Sequence, residues 1–255
     1  MGGIFFILSL ATYQFINTKT KHSLSRVFLK TGSFLVIYSI GTFLVVPPLA
    51  KVFGRQSLPM ICEKGLRPLN FLTCVLNRQY VKIELKFVAE EVSMQMSEKY
   101  PGTTVNYLDA GFPFVNGFPL FPHLSHNDGK KLDIAFCYLD SKTGKQLNSA
   151  PSFIGYGISE EPKVNEINVP EECDAKGFWQ YSFLRKIISQ RNKKNFIFDS
   201  ERTKSIANLF AENPGIEKLF IEPHLKLRLK LNNDKFRFHG CRAVRHDDHL
   251  HVQLK

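Results

Sequence analysis

Thr31–Ala50, TGSFLVIYSIGTFLVVPPLA, runs for twenty residues without a charged side chain. About 20 apolar residues in a helix cross the hydrocarbon core of a bilayer, whereas core helices of soluble domains are usually shorter and broken by charge. The stretch therefore predicts a membrane span at 31–50, with Pro47-Pro48 ending or kinking it near its far side. Ile4–Asn17, IFFILSLATYQFIN, is also uncharged but shorter, and reads as a possible second span or an interfacial helix. It lacks the basic start and small-residue cleavage site of a signal peptide. Lys19, Lys21, Arg26 and Lys30 precede the main span, and Lys51, Arg55, Lys64 and Arg67 follow it. With one span that is four against four, so the positive-inside rule sets no orientation.

Beyond about Val75 the pattern is that of a soluble domain. Val81–Gly102 reads as an amphipathic helix stopped by Pro101-Gly102, and Leu132–Asp140 as a strand followed by a turn at Ser141–Lys145. Pro151–Lys176 is a long irregular insertion that could cover an active site. Helices are expected at Gly177–Gln190 and Ser200–Asn213, strands at Ile216–Pro223 and His249–Lys255, and a short helix or strand at His224–Leu231. Strands and helices alternate without a βαβ rhythm, which predicts an α+β fold: a small antiparallel β-sheet with flanking helices, preceded by one or two N-terminal transmembrane helices. The expected organisation is a membrane region at 1–55, a juxtamembrane connector at 56–80 and a catalytic domain at 81–255.

The net charge of +11 suits anionic partners, but the lysines are scattered through loops such as QRNKKN at 190–195. No basic stripe interleaves with aromatics, so nucleic acid is not an expected partner. The five cysteines contain no C-x-x-C pair, which excludes the common zinc-finger and thioredoxin-like patterns, and their odd number leaves at least one thiol free.

Three of the eight histidines fall in RHDDHLHVQLK, at His246, His249 and His251. In an extended strand His249 and His251 share one face while Leu250, Val252 and Leu254 share the other, so two imidazoles can face a polar cleft while the apolar face packs. Upstream, SHNDGKKLD places His126 and Asp133 seven residues apart around Gly129, where a tight turn folds the chain back. Asp133 shares its strand face with Ala135, leaving room beside it, and a buried carboxylate there calls for a cation. His126, Asp133 and His251 would form an N,O,N ligand set for Zn²⁺ with a fourth position open, the arrangement of catalytic rather than structural zinc. His246, Asp248 and His249 are the candidates to accept and return protons.

These two segments resemble the signatures of the penicillin-insensitive murein endopeptidases. That branch belongs to the group uniting D-alanyl-D-alanine carboxypeptidases and dipeptidases with the hedgehog signalling domain. The group carries H-x6-D followed by H-x-H, which the murein endopeptidase branch extends to H-x-x-H-x-H; His126–Asp133 and His246–His251 match at both spacings. LFIEPHLKLRL, Leu219–Leu229, is similar to the strand and Pro-x-(Ile/Leu)-Lys that precede the second motif. The resemblance covers roughly Tyr107–Lys255 and implies zinc held by His126, Asp133 and His251. It places His249 beside the metal, for the oxyanion or a proton, and His246 as a further active-site imidazole. The family's aromatic residues within the last motif are replaced here by Asp247, Asp248 and Leu250. In the dipeptidase branch a glutamate three residues before the last ligand is the general base. Asp248 has that spacing, but it is shorter and belongs to the opposite strand face, so His246 or His249 ranks above it. Arg242 and Arg245 are candidates to clamp a substrate carboxylate, while His123, His224 and His239 read as loop histidines.

The implied function is a membrane-anchored zinc metallopeptidase of the bacterial cytoplasmic membrane, its catalytic domain on the periplasmic or outer side, acting on peptidoglycan peptides as a D,D-endopeptidase or D,D-carboxypeptidase. Two alternatives stand beside it: a zinc-containing, non-catalytic binding module of the same fold at the cell surface, and a self-contained three-histidine site at the C-terminal cluster.

Overall fold

A computed structural model describes residues 1–121 and 123–255. Two N-terminal helices, α1 (Gly2–Lys19) and α2 (Ser23–Ile40), form an antiparallel hairpin in which Phe6 meets Phe34 and Phe5 meets Tyr38. Gly41 permits the close approach, since a Cβ there would lie 2.2 Å from the Phe5 ring. Helix α2 continues through a π-turn at Gly41–Val45 into α3 (Val46–Val52). The combined Ser23–Val52 helix is long and apolar enough to cross a membrane. Pro47 and Pro48 do not end it: the wider π-turn lies just before them, where α-helical N–H donors would be missing. Helix α3 stops instead at Phe53-Gly54, with Gly54 at φ +68°, a left-handed position that favours glycine.

The hairpin is built into the following domain. Tyr38 Oη donates to the Val75 carbonyl at 2.7 Å, Asn77 Nδ2 donates to Thr42 Oγ1 at 3.2 Å, and Phe43 stacks on Phe71. Phe5, Val46, Ala50 and Tyr80 form one buried cluster. The segment expected to be a connector, 56–80, is part of the fold: Gln56–Ser57 pairs with Tyr80–Val81, Leu66–Pro68 forms an edge strand of the main sheet, and Leu72–Val75 is a short helix, α4.

The main sheet has six strands in the order Phe236–Arg237, Ile216–Phe220, His249–Leu254, Lys131–Ala135, Val105–Tyr107 and Leu66–Pro68. Its four central strands are antiparallel, as the sequence predicts, but both edge pairings are parallel. Helix α5 (Ile83–Lys99) buries Leu85, Val88, Ala89, Val92 and Met96, a single stripe at helical spacing. It packs with α8 (Ser200–Glu212), whose N-terminus is capped by Asp199 accepting from the Arg202 N–H. The apolar face of the C-terminal strand, Leu250, Val252 and Leu254, joins their core.

The single strand expected at Leu132–Asp140 is two. Cys137 leaves the ladder because its N–H donates to Thr203 Oγ1 and its carbonyl accepts from Asp199 N. Tyr138–Asp140 then enters a separate sheet with Gln146–Leu147 and Phe196–Phe198. Helix α6 (Val169–Ala175) lies in the insertion, and of the helix expected at Gly177–Gln190 only α7 (Phe183–Ile187) is α-helical. Pro223–Arg228 forms α9. A disulfide, Cys173–Cys241, ties α6 to the loop that leads to the C-terminal strand.

Candidate metal centre and its cleft

Antiparallel register sets His251 opposite Asp133 and His249 opposite Ala135 on one face of the sheet. Paired residues of an antiparallel ladder project to the same side, so the ladder alone brings the carboxylate and both imidazoles together. The loop before Asp133 supplies the rest. His126 N donates to the His123 carbonyl at 3.0 Å, turning both rings inward. The return turn uses Gly129 at φ +72°, where a Cβ would also strike the Arg55 side chain at 2.5 Å.

All of these groups are buried. His126 Nε2, Asp133 Oδ1 and His251 Nδ1 form a triangle with edges of 3.1, 3.2 and 2.8 Å. Tetrahedral ligands about 2.0–2.1 Å from a zinc ion stand roughly 3.3 Å apart, close to these edges. His126 Nδ1 lies 2.7 Å from the Ala110 carbonyl, which can only accept. With that nitrogen donating, Nε2 faces the Asp133 carboxylate, an arrangement that needs a proton or a cation between them. The donor set fits a metal.

His123, read from the sequence as a loop histidine, belongs to this cluster: His123, His126 and Asp133 form a buried group that can hold a metal ion. Its Nδ1 lies 3.1 Å from Asp109 Oδ2, and its Nε2 is buried without a hydrogen-bond partner among the described residues. A carboxylate behind a histidine in this way is the usual support of a metal ligand. Asp109 is itself gripped by the Arg78 guanidinium at 2.7 and 2.6 Å. Tyr156 donates to Asp133 Oδ2 at 2.8 Å and accepts from Asp109 N at 3.0 Å. Among these supports only the nearness of His123 to His126 is visible in the sequence; Arg78, Asp109 and Tyr156 arrive from separate loops.

Burial opposes ionisation of Asp133, but the surrounding His126, His249 and His123 outweigh it and hold its carboxyl well below the usual range. Asp109 is likewise held down to about 2 by His123 and Arg78 against the cost of burial. Burial brings His251 down to about 3 and, with the neighbouring His249 and His251, keeps His246 well below an ordinary histidine. His249 goes the other way. Burial disfavours its charge, yet Asp133 and Asp248 raise it to about 9.

Asp248 does not project away from the site. Its Oδ1 lies 2.5 Å from His249 Nδ1 and its Oδ2 accepts from Gly157 N at 2.5 Å, so both oxygens are occupied in orienting its neighbour. His249 Nε2 is left without a partner among the described residues, 3.7 Å from Asp133 Oδ1. The ring centroids of His246 and His249 are 4.9 Å apart. His246 N–H donates to Glu222 Oε1 at 3.1 Å. His239 stacks on Phe220 beside His246, and His224 lies with Nε2 2.8 Å from the Glu160 carbonyl. Arg245 is not a free clamp, because its fork pairs with Asp247 and Glu161. Arg242 is exposed.

Through His123 and His249 the cluster borders a cleft that is also lined by Tyr156, Trp179, Leu184 and Asp248. The 151–176 insertion forms a fixed wall of it, stitched to the histidine loop by Glu160 N donating to the Asp247 carbonyl at 2.7 Å and by Cys173–Cys241. Compared with known proteins, the chain matches no family model and has no significant match among curated proteins.

Proposed function

We propose that the chain is a membrane-anchored zinc metallopeptidase that hydrolyses peptide cross-links or stem peptides of peptidoglycan. The observation that carries this reading is the buried triangle of His126, Asp133 and His251 donor atoms, set behind His123 and His249, which line a cleft. Zinc, when bound, would acidify water toward neutral pKa and polarise a carbonyl. His126, Asp133 and His251 would hold it, and His123, steadied by Asp109, lies within the same ligand cage. His249, kept cationic by Asp133 and Asp248, presents Nε2 to a developing oxyanion. His246 remains neutral and is positioned to accept a proton from the attacking water and return it to the leaving amine. Tyr156 and Asp248 orient Asp133 and His249, and the aromatic cleft wall excludes water from the peptide.

One observation supports an outward-facing domain: the Cys173–Cys241 disulfide fits an oxidising compartment.

Zinc stoichiometry and cleavage of isolated cross-linked muropeptides by the purified full chain test the proposal. His126→Ala should abolish both. Unchanged zinc in that variant would favour the three-histidine site instead, and stoichiometric zinc with intact muropeptides would overturn the peptidase in favour of a binding module.

A further inference from the structure

Five large apolar side chains near the cleft are open to solvent: Phe71 (51%), Leu72 (43%), Leu76 (50%), Phe121 (71%) and Phe153 (74%). They come from three separate segments but form one patch. Asn70 Nδ2 donates to the Phe153 carbonyl at 3.0 Å, and Arg78 donates to the Phe121 carbonyl at 2.9 Å. Leu72 and Leu76 line one depression together with Ile154 and Leu184. Soluble surfaces rarely gather so many exposed aromatic and aliphatic groups in one place without something covering them.

The position of the patch identifies what covers it. Helix α4, its centre, is fastened to the membrane-spanning candidate at Tyr38–Phe43, by the Tyr38–Val75 and Asn77–Thr42 hydrogen bonds and by Phe43 stacked on Phe71. The Ser23–Val52 helix exposes Leu24, Val27, Phe28, Leu35 and Val36 on one side of that level and Leu44, Val45 and Leu49 on the other. The patch is thus continuous with the helix surface that would meet lipid. The carboxylate that lines the depression, Asp109, is ion-paired with the Arg78 guanidinium at 2.7 and 2.6 Å. Aromatic and aliphatic groups whose neighbouring carboxylate is neutralised in this way suit the boundary between phospholipid headgroups and acyl chains.

We propose that this collar is seated in the bilayer interface, so that the domain rests against the membrane instead of standing off from it. Leu184 and Tyr156 line both the α4 depression and the cleft, so the seat turns the cleft toward the lipid surface. The seat is independent of the chemistry at the histidine cluster.

Trp179 is the chain's one tryptophan, which makes the test direct. In a Trp179→Phe background, Phe71→Trp and Phe153→Trp would each be reconstituted as full chains into phosphatidylcholine–phosphatidylglycerol vesicles. Ile197→Trp, on the separate sheet, serves as the exposed control. Lipids brominated near the headgroup should remove most of the emission at 71 and 153, deep-brominated lipids should remove less, and iodide should quench only the control. Two results would overturn the proposal. One is red-shifted emission quenched by iodide as in the control. The other is blue-shifted emission indifferent to bromine, which would mean that a second copy or another protein covers the face.

Discussion

Asp133 and His251 meet across one rung of an antiparallel ladder, Oδ1 to Nδ1 at 2.8 Å, although 118 residues separate them in the chain. Their approach exists only once the sheet has formed, so an ion held there binds the folded state and not the unfolded chain. By mass action, free metal at a hundred times its dissociation constant should add about 2.7 kcal/mol of stability. Adding a chelator to the metal-loaded chain in detergent should lower its melting temperature, and restoring zinc should reverse the change. A melting temperature indifferent to both would remove the metal centre.

Asp109 stands behind His123 and is itself fixed by Arg78. Asp109→Asn should weaken metal affinity about 10–100-fold while leaving the fold intact, as loss of such supporting groups generally does. Competition against a coloured chelator reads this out. Equal affinity in the two proteins would exclude His123 from the cage.

Tyr156 links the insertion to both carboxylates. Tyr156→Phe strips a hydrogen bond from buried Asp133 and leaves the Asp109 N–H unpaired, at a cost of about 1.5–3 kcal/mol. Urea unfolding should show it, and a change below about 0.5 kcal/mol would place the residue among neutral surface substitutions.

The strand face of His249 and His251, the Gly129 turn and the α5 stripe were all legible in the sequence, because each follows from a local period or a backbone conformation. The break at Cys137 was not, since it depends on Thr203 and Asp199 reaching the strand from α8. The role of His123 is hidden for a similar reason: a histidine in an irregular loop shows no periodicity, and Asp109, which orients it, lies fourteen residues away.

Glu222 supplies the clearest dependence on pH away from the ligands. Burial and the neighbouring Asp247 carboxylate push it up to about 7, so the folded chain holds its proton more tightly than the unfolded chain, where the ordinary value is 4.5. Its ionisation therefore erodes stability as pH rises from about 4.5 through about 7, by about 3 kcal/mol in all. Glu222→Gln keeps an acceptor for the His246 N–H and removes that loss. Variant and parent should match near pH 4.5, diverge as pH rises, and hold a constant gap above about pH 8. A gap that does not change with pH would refute the assignment.

Cys173 and Cys241 close a loop with a sequence separation of 68. Cys173→Ser with Cys241→Ser should lower stability by about 2–4 kcal/mol in denaturant titrations. His126, Asp133 and His251 lie outside residues 173–241, so zinc affinity should be unchanged. Reductant should reproduce the loss in the parent and do nothing to the double variant.

The short passage from α3 to the first strand of the domain sets a working radius. Only Phe53, Gly54 and Arg55 separate Val52 from Gln56; Arg55 N bonds the Ala50 carbonyl, and its side chain pairs with Asn116. A flexible tether would let a catalytic head sweep a volume that grows with its length. Here there is none, and a domain of this size is roughly 40 Å across. Anchored as proposed, the protein would patrol only the layer within one body-width of its membrane, and peptides farther out would have to come to it.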